Sequence, residues 1–104
     1  MKFAKRIVLE PSLHKCVETL AKEKYWGLVD EYARRIRSEG INREMELEIE
    51  ALRSFLEDMD VGEYRKRTEE FLERGEKVFL VLEITEDGSI NARVDHPKRG
   101  RNPR

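Results

Sequence analysis

The 104-residue chain contains no glutamine, three asparagines, three prolines, six glycines and a single cysteine, Cys16. One cysteine cannot close an internal disulfide, which points to a reducing, cytoplasmic setting. It also leaves too few thiols for a structural zinc site. No stretch approaches the roughly 18–20 apolar residues that span a membrane, so no membrane partner is expected. The start, Met1-Lys2-Phe3-Ala4-Lys5-Arg6, is basic but lacks the apolar run of a secretory signal. Nor does the sequence hold a glycine-rich phosphate loop, a Walker motif or a Ser/His/Asp arrangement. Enzymatic chemistry and cofactors therefore have no motif to stand on.

What the chain has in abundance is charge. Charged residues make up 41% of it, against about 25% in an average domain. Lysine, arginine and glutamate enrichment with few amides is the composition of thermophilic proteins, in which ion-pair networks lose less to desolvation. The charge is uneven although the formal net is only −1. Residues 41–63 hold eight acids against two bases, whereas residues 96–104 hold four bases and no acid.

Apolar spacing organises the chain as β-α-α-α-β-β. Residues 2–9 read as a strand, with Ile7-Val8 favouring extended backbone. A first helix is expected from about Ser12 to Glu39, with Pro11 in its first turn and Gly40 ending it. His14, Val17, Ala21, Tyr25, Leu28, Tyr32 and Ile36 form its apolar stripe, which Leu13, Cys16, Leu20, Val29 and Ala33 widen. Unbroken, such a helix is on the order of 40 Å long, longer than a compact domain of this size, about 33 Å across. It must therefore overhang and pack on a second copy, or break near Tyr25-Trp26-Gly27; the overhang is the reading preferred.

Asn42 is a competent N-cap for a second helix. Met45, Ile49, Leu52, Leu56 and Met59 give that helix a narrow seam. Asp60-Val61-Gly62-Glu63 resembles a capping box opening a third helix, which Gly75 ends. Lys77–Thr85 is apolar on both faces around Val78–Leu82 and reads as a central strand. Glu86-Asp87-Gly88 is a hairpin turn, and Ile90–Asp95 is the return strand. The fold class is α+β: three helices on a small sheet of the N-terminal strand and the C-terminal hairpin. Residues 1–96 form one domain, and residues 97–104 form a basic, disordered tail.

Three groups of residues compete for function. Tyr25, Trp26 and Tyr32 cluster at the middle of the first helix and are candidates for a dimer contact, because tryptophan and tyrosine concentrate at interface hot spots. Lys2, Arg6, Arg93, Lys98, Arg99, Arg101 and Arg104 are candidates for nucleic-acid contact through phosphates. The glutamates of residues 44–60 alternate around their helix and do not converge, so they read as a solvated face and no metal is expected. Residues two apart on a helix also diverge, which sets His14 and Cys16 apart as ligands.

Arg6-Ile7-Val8-Leu9-Glu10-Pro11-Ser12-Leu13, followed by Glu18-Thr19-Leu20-Ala21-Lys22-Glu23, resembles the start of ribbon-helix-helix repressors. The resemblance covers residues 2–37. It implies strands that pair between two copies, with Ala4, Arg6 and Val8 facing DNA. It also implies a second helix over Leu28-Val29-Asp30-Glu31-Tyr32-Ala33. The leading expectation is a non-enzymatic interaction or oligomerisation module that binds itself as a homodimer or binds another protein. The alternative is a small DNA- or RNA-binding regulator using the N-terminal strand and the basic tail.

Overall fold

In the computed structural model, which describes residues 3–97, the order is β1 (Phe3–Leu9), α1 (Val17–Glu39), α2 (Arg43–Asp58), α3 (Val61–Glu73), β2 (Phe79–Thr85) and β3 (Ile90–Asp95). The α+β arrangement is the expected one. Strand β2 is central in an antiparallel sheet of order β1-β2-β3. Ile7 pairs with Leu82 and Leu9 with Leu80, while Leu80 faces Val94 and Leu82 faces Ala92. These residues share the face that the helices cover, by strand alternation. Leu80, Leu82 and Ile84 of β2 are buried there, together with Val17 and Ala21 of α1 and Ala51, Leu52 and Phe55 of α2.

Local chemistry sets the element ends. The Asn42 side chain accepts from the Met45 amide at 3.1 Å, and Asp60 Oδ1 accepts from the Glu63 amide at 3.3 Å. Each bond satisfies one of the otherwise orphaned donors of a first helical turn. Gly75 follows α3 with φ at 76°, a left-handed conformation that glycine adopts without a Cβ clash.

The first helix differs from expectation at its start. It begins at Val17 rather than Ser12, with Cys16 as N-cap. Pro11 is buried outside it, and Ser12 and Lys15 exchange backbone hydrogen bonds at 2.9 and 3.3 Å. The His14 amide also donates to Ser12 Oγ at 3.2 Å. These bonds give residues 12–15 a turn of their own, which competes with helix.

Helix α1 then runs unbroken through Gly27, so the break weighed near Tyr25-Trp26-Gly27 does not occur. Its 23 residues make it about 35 Å long. Only Val17 and Ala21 are buried along it, both in its first half. Beyond Leu28, α1 leaves the sheet and pairs with the start of α2 as a projecting two-helix arm. The radius of gyration is 15.4 Å, with principal extents of 52 × 31 × 24 Å. A compact domain of this length has a radius of gyration of about 13 Å, so the fold is elongated.

Two features of the ribbon-helix-helix pattern are not reproduced. Strand β1 pairs with β2 of its own chain. The two helices that the resemblance implies are one continuous helix.

Candidate interaction face on the first helix

At 100° per residue, α1 presents two apolar stripes rather than one. Val17, Ala21, Tyr25, Leu28 and Tyr32 point toward the rest of the chain. Trp26, Val29, Ala33 and Ile36 lie about a quarter-turn away, at steps of three, four and three. Trp26 is 64% exposed and Ile36 39% exposed. Val29 is half-buried and Ala33 exposed. Val29, Ala33 and Ile36, with Tyr32 and Ile49, line an open groove of about 510 Å³ between α1 and α2, rimmed by Arg43, Glu46 and Glu50.

The three candidate aromatic residues divide. Trp26 stands free on this face, with its ring edge-on to Tyr25 at 5.1 Å between centroids. Tyr25 is half-buried against the core. Tyr32 is held inside the arm: its hydroxyl donates to Glu46 Oε2 at 2.9 Å and accepts from the Asn42 amide at 3.1 Å. From apolar spacing alone, Val29, Ala33 and Ile36 merge with the core residues into one wide stripe. Their own three-four spacing is the signal that separates them, because four apolar residues in that rhythm make a seam for another helix.

Salt bridges within each helix stiffen the arm. Arg35 binds Glu31 at 2.8 Å and Glu39 at 2.9 Å, each one turn away. Those bonds, with Glu39 the stronger influence, raise the Arg35 guanidinium above its ordinary value, and Arg35 in turn holds the Glu39 carboxyl below the usual carboxylate range. Arg53 binds Glu50 and Glu57 in the same way, and Glu50 is the main cause of its raised value. The acidic helix α2 thus spends several carboxylates on fixed partners: Glu46 on Tyr32, Glu48 on Lys5 at 3.8 Å, and Glu50 and Glu57 on Arg53. Among the described residues, no three carboxylate, imidazole or thiol groups gather to hold a metal ion.

The basic candidates fall elsewhere. Arg6 and Arg93 lie on the sheet face away from the helices, Arg6 opposite Glu83 and Arg93 opposite Val81. Arg93 Nε is 3.5 Å from Glu83 and its Nη1 is 3.6 Å from Asp95. Two acids thus offset the positive charge of that face. Lys2, Lys98, Arg99, Arg101 and Arg104, and the expected disorder of the tail from residue 98 onward, lie outside the described residues.

No helix among the described residues is long and apolar enough to cross a membrane. No curated protein and no solved structure matches the chain. A family model does match residues 5–93, from the first strand through most of the last and including all three helices; the chain belongs to that family, whose function is uncharacterised.

Proposed function

We propose that this chain is a non-enzymatic self-association module, and that the outer face of α1 is where its copies meet. The observation that carries this reading is the apolar Trp26-Val29-Ala33-Ile36 stripe, in which Trp26, Ala33 and Ile36 are exposed and which runs from the middle of α1 onto the arm. A two-helix arm buries only one side of each helix, and helices with a second apolar stripe bury it in a bundle. An exposed tryptophan in such a stripe has the character of an interface anchor. The salt bridges stiffen each helix and the Tyr32 hydroxyl ties the two together, so little ordering is required on association. The sheet face carrying Arg6 and Arg93 supports nucleic-acid binding less well, because Glu83 and Asp95 neutralise Arg93 and would oppose phosphates.

Trp26 is the sole tryptophan, so its emission reports directly on whether the face is covered. Emission that shifts to the blue as concentration rises, and stays solvent-like at all concentrations in Ala33→Arg, is the expected result. Solvent-like emission in the parent chain across the whole range overturns the reading. Circular dichroism of Ala33→Arg checks that the exposed substitution leaves the fold intact.

A further inference from the structure

We infer that two copies pair through α1 in antiparallel fashion, so that two α1–α2 arms close into a four-helix bundle with the two sheets at opposite ends. This rests on the self-association reading above and adds the arrangement.

The stripe reads the same in both directions. Its steps of three, four and three centre on Glu31. Antiparallel pairing about that centre puts Val29 opposite the second copy's Ala33 and Trp26 opposite its Ile36. Each larger side chain meets a smaller one, and the exposed methyl of Ala33 lets the helix axes approach. Parallel pairing instead sets Trp26 against Trp26 and Ala33 against Ala33, which crowds one end and leaves a gap at the third position. A two-fold axis perpendicular to α1 also makes the contact closed and self-complementary, so no further copies are recruited.

The charges on both rims agree with this direction. Glu23, Asp30 and Arg37 flank the stripe on the side away from α2; Glu23 and Arg37 are both exposed, and Glu23 also accepts from Lys15 at 3.1 Å. In the antiparallel register, Arg37 lies within about 3 Å, along the axis, of the second copy's Glu23. On the other rim, the Tyr32–Glu46 hydrogen bond fixes which part of α2 lies beside which part of α1. Carrying that level across the two-fold axis sets Arg43 of one copy beside Glu50 of the other, within about one residue's rise. Both residues border the groove, where Arg43 also reaches Glu46 and Glu50 also binds Arg53, so the contact across the axis extends ion pairs already present within each α2. Parallel pairing would oppose Arg37 to Arg37 and Glu23 to Glu23, and like charges facing each other disfavour that arrangement.

The test uses the full chain with Cys16→Ser as background. Copies carrying Glu23→Cys are mixed with copies carrying Arg37→Cys and treated with a short bis-maleimide. Both positions are exposed and outside the apolar stripe, and Glu23→Cys gives up only a surface ion pair with Lys15, so folding and the stripe itself are retained. Antiparallel pairing brings residue 23 of one copy beside residue 37 of the other. It holds two residues 23 about 24 Å apart and two residues 37 about 18 Å apart along the axis. The expected product is the mixed 23–37 cross-link, several-fold over either like-with-like product. Dominant 23–23 and 37–37 cross-links with a dimeric mass overturn the arrangement and leave self-association standing. A mass of one chain at every concentration, with no cross-link, overturns both.

Discussion

The hydroxyl of Tyr32 donates to Glu46 at 2.9 Å and so ties the overhanging half of α1 to the first turn of α2. The same oxygen accepts from the Asn42 amide at 3.1 Å, beside the cap that starts α2. One side chain therefore sets both the spacing and the level of the arm. Tyr32→Phe keeps the ring and removes both bonds. It is expected to cost about 1 kcal/mol of stability, read as a lower denaturation midpoint with an unchanged slope.

Gly27 sits inside α1, and a Cβ built there meets nothing within 4 Å. Its backbone is helical, so alanine fits without strain. Gly27→Ala is expected to raise stability by roughly 0.5–1 kcal/mol through helix propensity and a less disordered unfolded chain. Gly27 points away from the Trp26 stripe, so thermal denaturation should move while self-association does not.

Much of this architecture was legible in sequence because its cues are local. Asn42, Asp60 and Gly75 act within one turn of the backbone they cap or end, and the apolar run around Val78–Leu82 demands burial on both faces wherever it is placed. The start of α1 was not legible, because Pro11 and Ser12 suit a helical first turn as well as the separate turn they form. The interaction face was half legible. Trp26 drew notice as an aromatic residue, but Val29, Ala33 and Ile36 could be assigned to an outer stripe only once α2 had taken the other side of the helix. Tyr32 is the converse case. Its ring resembles an interface anchor, and its hydroxyl is spent on Glu46 and Asn42.

Cys16 caps α1, and its Sγ lies 3.4 Å from Thr19 Oγ1. Hydrogen bonding from Thr19 side chain and backbone holds the thiol below its ordinary value, against a smaller opposing effect of burial. Alkylation by iodoacetamide as a function of pH should therefore show a midpoint below that of a free cysteine peptide. Thr19→Val should move the midpoint upward, since the largest contribution is lost.

Asp87 in the β2–β3 turn is bonded by the Thr85 hydroxyl and by the Ser89 amide at 3.0 Å. These bonds, that of Thr85 first, lower its carboxyl below the usual range. A carboxyl depressed in the folded state contributes stability above its unfolded value and loses that contribution as pH falls through the folded one. NMR titration of Asp87 should show the depressed midpoint, and Thr85→Val should return it toward the ordinary value while flattening the acid side of the stability profile.

The most direct measurement is the mass of the full chain by sedimentation equilibrium over a wide concentration series, with Trp26→Ala run beside it. Loss of an anchoring tryptophan removes roughly 2 kcal/mol or more of association, which is about thirtyfold or more in dissociation constant. A parent species approaching twice the 12.4 kDa chain mass, with Trp26→Ala shifted to higher concentration by that factor, is the predicted result. A parent mass of 12.4 kDa throughout would contradict it.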